Sequence, residues 1–321
     1  MKEFIIKKND AGQRLDRFVS KAAPLLPCSL AHKYIRIKRI KVNGKRAQRD
    51  YMLCMDDSVQ MYVNDEFFTN LKTESAYFNE KAKSTSAALN IIYEDDNIIL
   101  IDKKIGDLCH SAGKFDYSSV VARLQAYLLS KGEWTPHKEN SFAPALCNRI
   151  DRNTSGIVIA AKNAEALRII NEKIKLRQID KYYLAAVHGV PNPAAGKLEG
   201  YLSKDSKKNR VHITVAPRPQ AKFASAEYKT IKTAGTLTLL ECRLITGRTH
   251  QLRAQLASIG HPLLGDIKYG GSKQNASYGE TAQALCAYKL KFSFVTGAGP
   301  LSYLCEQSFE ISDITFAEKY F

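Results

Sequence analysis

Five consecutive apolar residues, Ile157-Val158-Ile159-Ala160-Ala161, follow a Ser155-Gly156 turn and the charged segment Asn148-Arg149-Ile150-Asp151-Arg152. An unbroken apolar run bounded by turn signals predicts a buried strand, and a strand of that kind needs a sheet and covering layers around it. Asp151 stands just ahead of the run, between two arginines. Its carboxylate is therefore expected at the mouth of the buried strand, with cations beside it that favour its charged form. Such a placement suits a nucleophile or a general base. The competing reading is a surface turn whose charges pair only locally.

A chain of 321 residues is long for a single core, and two domains are the natural expectation. Apolar residues at 45% beside 25% charged residues describe a globular protein rather than a disordered one. No apolar stretch approaches the length of a membrane span, and the first residues lack the apolar core of a signal peptide. A cytoplasmic location is expected. The seven cysteines are scattered and include no Cys-x-x-Cys pair, which speaks against a disulfide framework or a zinc site. Cys147, close to the charged segment, reads as a small buried residue.

The net charge of +16 points to a polyanionic partner, and nucleic acid is the first candidate. Much of that charge is local: residues 12–63 carry 11 Lys/Arg against 4 Asp/Glu. In this stretch Leu15, Phe18, Val19 and Ala22 recur at helical spacing, with Pro24 and Pro27 closing the helix. Ser29 is the expected N-cap of a second helix with Leu30, Tyr34 and Ile37 on one side. Lys33, Arg36, Lys38 and Arg39 fill its other faces. Lys41 to Arg46 predicts a short strand with an Asn43-Gly44 turn, and Val59, Met61 and Val63 alternate as a closing strand. The cations expected to meet phosphate are Arg14, Arg17, Lys33, Arg36, Lys38, Arg39, Lys45 and Arg46. Through Gln13-Arg14-Leu15-Asp16-Arg17-Phe18 and Val42-Asn43-Gly44-Lys45, the stretch resembles the S-four-like RNA-binding module.

Residues 64–88 are polar and aperiodic, and read as a linker. Beyond them, strands are expected at Ile91–Tyr93, Ile98–Ile101, Ile157–Ala161, Lys181–Val187, Val211–Val215, Ala226–Lys232, Leu237–Ile245 and Ala284–Phe294. Helices are expected over Ala164–Leu176 and around Leu252, Leu256 and Ile259, ending at Gly260. Strands outnumber helices and connections are short, which predicts an α+β domain with a mixed, mostly antiparallel sheet and flanking helices. The division is thus 1–63, a small α/β RNA-binding domain; 64–88, a linker; and 89–321, the larger domain. The basic stretch Lys204–Lys222, with Lys207, Lys208, Arg210 and Arg218, reads either as a substrate-contacting insertion or as a solvated hairpin.

Four segments carry the chemistry: Ile92 to Lys104, the Asp151 segment, Lys181 to Gly189, and Thr246 to Arg253 continuing to Gly260-His261-Pro262-Leu263-Leu264-Gly265-Asp266. Together, and in this order, they resemble the RluA-type family of RNA pseudouridine synthases over roughly residues 89–295. The resemblance implies the pseudouridine synthase catalytic fold. It also implies a catalytic Asp151, an Arg253 that pairs with it, and a Tyr183 whose ring stacks on the target base. Tyr182 is the adjacent alternative, since alternation lets only one of the two face the site. Arg149 matches the arginine that fills the space of a flipped base; a salt bridge is its ordinary alternative. Arg248 competes with Arg253 but suits a phosphate better. Arg152, Arg248, His250 and Gln251 complete the expected substrate contacts, and His261 reads as part of an architectural His-Pro turn. The family motif has His where this chain has Asn148, which removes an ionisable group and bears on which RNA is chosen.

The resemblance implies isomerisation of uridine to pseudouridine in structured RNA, most readily large-subunit ribosomal RNA. It requires no cofactor, no metal and no obligate protein partner, and the chain carries no phosphate-binding glycine loop. A non-catalytic RNA-binding or ribosome-assembly factor is the rival from another class. A carboxylate glycosidase is a third reading. It would need a second acid about 5–9 Å from the first, for which Asp102 and Asp266 are the candidates.

Overall fold

The computed structural model describes residues 1–68, 89–111, 118–205, 210–270, 275, 278–280 and 282–321. Residues 1–68 form one packed unit. It comprises β1 (Lys2–Ile5), α1 (Leu15–Ala22), α2 (Cys28–Arg36), β2 (Ile40–Val42) and β3 (Ser58–Met61), with antiparallel sheet order β1-β3-β2. The α1 stripe of Leu15, Phe18 and Val19 packs onto Val42, Val59 and Met61. Between β2 and β3 the chain turns at Asn43 and Gly44, both at positive φ, as a two-residue hairpin turn requires.

Several expectations need correction here. Helix α2 starts at Cys28 behind Pro27, with no side-chain cap from Ser29. Its buried face is Ala31 and Ile35; Ile37 lies past the helix end and is 48% exposed. Lys38 and Arg39 likewise follow the helix in a turn, with Lys38 at φ 65°. The strand β1 was not foreseen. Phe67 and Phe68, expected in the linker, pack into this unit's core, and residues 69–88 lie outside the described residues.

The larger unit is built on an eleven-stranded sheet. Its strands are β4 (Ile91–Glu94), β5 (Ile98–Lys103), β6 (Ala145–Leu146), β7 (Ser155–Ala161), β8 (Ile179–His188), β9 (Ala195–Asp205), β10 (Arg210–Thr214), β11 (Lys222–Ala234), β12 (Leu237–Leu244), β13 (Leu285–Phe292) and β14 (Ser308–Glu310). Their order is β10-β9-β11-β12-β8-β13-β7-β5-β4, with β14 beside β13 and β6 beside β7. Only β7 and β13 pair in parallel among the described strands. Among the described residues it is accompanied by the helices α3 (Val120–Ser130), α4 (Ala164–Lys175), α5 (Gln251–Ser258) and α6 (Thr315–Tyr320). The architecture is α+β with a mixed, mostly antiparallel sheet. Helix α3 and strand β9 were not expected; β9 pairs antiparallel with β10 at the sheet edge, and Lys207 and Lys208 lie outside the described residues.

The apolar run explains why this sheet is covered twice. Val158 and Ala160 of β7 join Ile99 and Ile101 under α3, while Ile157, Ile159 and Ala161 join Ile98 and Leu100 under α4. A strand buried on both faces needs no polar alternation. The two units meet through polar contacts. Asp10 is fully buried and accepts from Asn140 Nδ2 at 2.8 Å and Ser141 Oγ at 2.7 Å. Asn9 Oδ1 accepts the Ala164 amide at the start of α4.

Gly156 is the tightest point of the sheet. Its φ is +116°, and a Cβ there would lie 2.3 Å from the Ala287 carbonyl oxygen on β13. Gly156→Ala should therefore cost about 2–4 kcal/mol through overpacking and backbone strain. A thermal-melt comparison with Gly297→Ala, where a Cβ meets nothing within 4 Å, checks it. The control should melt within about a degree or two of wild type, and the Gly156 variant several degrees lower.

Candidate active site

The loop that carries Asp151 is stapled from below by a buried lysine. Lys103, the last residue of β5, is 1% exposed, and its ammonium donates to the carbonyls of Lys104 (2.9 Å), Asp107 (3.0 Å) and Arg152 (3.0 Å). Burial pulls its pKa down, and the nearby Cys109, Asp107 and Asp151 act the other way. The Arg152 carbonyl also accepts the Gly106 amide, and the Arg152 guanidinium returns a bond to the Gly106 carbonyl. The Asp151 carbonyl closes a turn onto the Thr154 amide at 3.1 Å. These bonds hold the carboxylate at the N-terminal end of β7.

The carboxylate's ion-pair partner is remote in sequence. Arg253 on α5 is 8% exposed and reaches Asp151 Oδ2 through Nη1 at 3.4 Å. The same guanidinium grips Asp266 with two bonds, Nε to Oδ2 at 2.7 Å and Nη2 to Oδ1 at 2.9 Å. Burial opposes the Arg253 charge, but the Asp266 bonds and the two nearby carboxylates outweigh it and raise the pKa. A fork–fork pair of this kind fixes the guanidinium plane. Neither neighbour of Asp151 in the chain supplies the pair. Arg152 turns to Gly106, and Arg149 is exposed with no ion pair to a described carboxylate. The local charge sandwich expected from the sequence is thus replaced by a cation from α5.

Asp266 is the residue that sequence reasoning undervalued. The signal was available: an arginine beside the buried stripe of a helix needs a carboxylate. Besides the fork, Asp266 Oδ1 accepts the amides of Lys268 and Tyr269 at 2.9 and 3.1 Å. Asp102 is bound to Lys104 Nζ at 2.6 Å and Asn90 Nδ2 at 2.7 Å. Neither carboxyl is offered as the free proton donor that a glycosidase requires.

The other expected residues divide by what they touch. Tyr183 is 6% exposed and lines the cleft beside Asp151, and burial raises its pKa. Strand alternation turns Tyr182 away from that cleft. His250 lies with Nε2 3.9 Å from Asp151 Oδ2 and Nδ1 3.0 Å from the Tyr269 hydroxyl. Gln251 is committed to the loop: its Oε1 accepts from Thr246 Oγ1 and the Arg248 amide, and its Nε2 donates to the Ser225 carbonyl. It shapes the cleft wall rather than presenting a free amide. Arg248 is exposed, with Nε on the Phe223 carbonyl. Asn148 accepts the Ile159 amide of β7 through Oδ1 at 2.8 Å, which ties its side chain to the sheet. His261 bonds the His188 carbonyl at 2.9 Å, in keeping with an architectural turn. Cys147 is half-buried at the edge of the α4 core, and desolvation pushes its thiol up to about 12.

Two adjoining clefts share the Asp151 rim. The smaller, about 110 Å³, is lined by Tyr183, Leu244, Leu285 and the 247–253 segment. The larger, about 420 Å³, continues past Asp266 to Arg152, Lys204 and Lys268. Arg149, Asp151, His250 and Arg253 border both. An apolar recess with an aromatic wall opens here into a cationic channel, with one carboxylate between them. In the N-terminal unit a separate groove brings together Arg36, Arg46 and Arg49. Arg49 had drawn no individual attention. Arg14 is paired with Asp16 at 2.6 Å, and Arg39 lies over the Tyr34 ring, so these two are less available to phosphate than expected.

Comparison with known proteins supplies the family. Residues 97–258 match the family described as RNA pseudouridylate synthase. An uncharacterised RNA pseudouridine synthase of Mycoplasma capricolum is 31% identical over 95% of both chains. The ribosomal large subunit pseudouridine synthase D of Borreliella burgdorferi is 30% identical over 90% of this chain and 84% of its own. Among solved structures, human RNA pseudouridylate synthase domain containing 4 shares the fold, with a TM-score of 0.54 and 22% identity. That match covers 75% of this chain and 94% of the human one. The chain belongs to the RNA pseudouridylate synthase family, isomerases that convert uridine in RNA to pseudouridine.

Proposed function

We propose that this synthase acts on uridines of structured RNA, with large-subunit ribosomal RNA as its substrate and Asp151 as its nucleophile. The observation that carries this reading is the Asp151–Arg253 pair at the rim of a cleft walled by Tyr183. In the reaction the N1–C1′ bond of uridine breaks and a C5–C1′ bond forms. The proton on C5 leaves to solvent and N1 gains one, so nothing is oxidised. Attack by the carboxylate at C1′ or at C6 both satisfy this balance. Arg253, locked by Asp266, aims the carboxylate. Tyr183 is the face on which the detached base stacks while it turns, an interaction worth about 1–3 kcal/mol. Arg149, exposed and without an ion pair to a described carboxylate, fits the space vacated by a flipped base. Flipping costs on the order of a few kcal/mol, so the stacking recovers much of it.

The ribosomal assignment is supported by the named activity of relatives at about 30% identity and by the cationic groove of the N-terminal unit. Arg152 and Lys204 line the larger cleft and Arg248 the smaller one, where phosphates flanking the target would pass. No cofactor enters this chemistry.

Three outcomes follow. With RNA tritiated at C5 of uridine, Asp151→Asn should release label at least about 10³-fold more slowly than wild type. Undiminished release would remove Asp151 from its role. A wild-type protein that binds RNA tightly but forms no pseudouridine would favour a binding factor instead. Asp266→Asn should lower both stability and rate, since it leaves the buried Arg253 with half its fork. A loss of about 3 kcal/mol by denaturant titration is expected, with the rate falling even for the folded fraction. For the N-terminal groove, Arg36→Gln with Arg46→Gln should weaken RNA binding and flatten the log K against log salt line by about 1.5–2. An unchanged slope would take the groove out of the RNA path.

A further inference from the structure

Tyr269 links the β9–β10 hairpin by hydrogen bonds to His250, whose ring stands beside the Asp151 carboxylate. Its hydroxyl accepts the Val211 amide of β10 at 2.8 Å and lies 3.0 Å from His250 Nδ1. Its ring stands close to two guanidiniums, Arg253 at 5.2 Å and Arg210 at 5.3 Å from the centroid. His250 itself occupies the left-handed backbone region, φ 51° and ψ 26°, directly before α5. That conformation is uncommon outside glycine and turns its ring toward Asp151, with Nε2 3.9 Å from Oδ2. The gap is too long for a hydrogen bond.

Counting hydrogens points to one tautomer of the imidazole. A tyrosine hydroxyl has one proton to give and two lone pairs. Among the described residues its partners are the Val211 amide, which can only donate, and His250 Nδ1. With the Val211 amide on one lone pair, the hydroxyl proton is free to go to Nδ1, and in that arrangement Nδ1 accepts it. The ring proton then sits on Nε2, on the side of Asp151.

We propose that Tyr269 holds His250 neutral, with its proton on Nε2, so that Arg253 remains the sole cation paired with Asp151 in the working enzyme. His250 is thus a positioning residue, and the proposal rests on Asp151 being the nucleophile. Once protonated, His250 becomes a second cation beside Oδ2 and draws the carboxylate out of line. Several groups face the ring. Burial opposes its charge most, Arg253 and Lys268 oppose it too, and Asp151 and Asp266 favour it. The balance lies below the ordinary histidine value of 6.5. The neutral form, and with it activity, is present above that midpoint and lost as pH falls through it. Removing the Tyr269 hydroxyl deletes a bond to the neutral form, which moves the midpoint upward.

The test uses the full-length protein. Nitrogen-15 NMR of the histidine rings, with the His250 signal identified by its loss in His250→Gln, should show a protonated Nε2 and a bare Nδ1 at pH 8. The midpoint should lie below 6.5. Single-turnover tritium release from pH 5 to 8 should have an acid limb at that midpoint. The limb should shift to lower pH by at least one unit in His250→Gln and to higher pH in Tyr269→Phe. A proton on Nδ1 at pH 8, a midpoint at or above 6.5, or a limb unmoved in both variants overturns the proposal. Full activity of Asp151→Asn would strike the nucleophile assignment instead, and the NMR result is read independently of it.

Discussion

The buried guanidinium of Arg253 is the interaction on which the site depends. An ion so far from water must be paired, and truncating either partner of such a pair typically costs 3–5 kcal/mol. Here the pairing is asymmetric. Asp266 takes two short bonds and Asp151 takes one long one, at 3.4 Å. The strong pair fixes the arginine, and the weak one leaves the Asp151 carboxylate less tightly held, as the nucleophilic role proposed for it requires. A carboxylate held by both prongs would be a poorer nucleophile. Dividing the work between two acids resolves that conflict.

The sheet places the two halves of this pair. Asp151 precedes β7, and the segment before β13 is tied to the same region by Gln283 Nε2, which donates to Thr154 Oγ1 at 3.2 Å, while the Ala284 amide donates to the Leu264 carbonyl beside the Asp266 turn. The parallel pairing of β7 with β13 begins here, at Ser155 and Gly156. Close backbone approach at Gly156 lets the two strands meet, and meeting there brings the loop before β7 against the segment before β13. The glycine's missing side chain is therefore a condition of the active-site geometry as well as of the fold.

Much of this was legible in the residues. The β7 run, the 94–97 turn, the α4 stripe and the alternation along β13 all rest on local periodicity, and local periodicity is what a sequence displays. The Arg253–Asp151 pairing, by contrast, joins positions about a hundred residues apart, and came only through resemblance to a family pattern. The local alternative, arginines 149 and 152 flanking Asp151, was the wrong pair because a residue's chain neighbours on an irregular loop need not share its direction. Helix α3 escaped notice since Val120, Ala122, Leu124, Ala126 and Leu128 alternate like a strand, although all five are buried in a helix. The bond from the Ile159 amide to Asn148 was not legible either, because nothing in its neighbourhood announces a partner eleven residues on. Helix α2 was shifted because a serine two positions after a proline looks like a better cap than the proline itself.

The chemistry of the buried cations also separates architecture from catalysis. Lys103 and Lys173 are each 1% exposed, and each ends on uncharged oxygens: three carbonyls for Lys103, and the Thr296 hydroxyl and two carbonyls for Lys173. An ammonium has three donors pointing apart, which suits the gathering of separate backbone strands into one place. A guanidinium is planar and forked, which suits a carboxylate and sets its angle. The chain uses lysine where segments must be stapled and arginine where a carboxylate must be aimed. Exchanging the two at position 253 would keep the charge but lose the plane. Asp266 could then no longer dictate the direction from which Asp151 is approached, and the division of labour between the two acids would collapse.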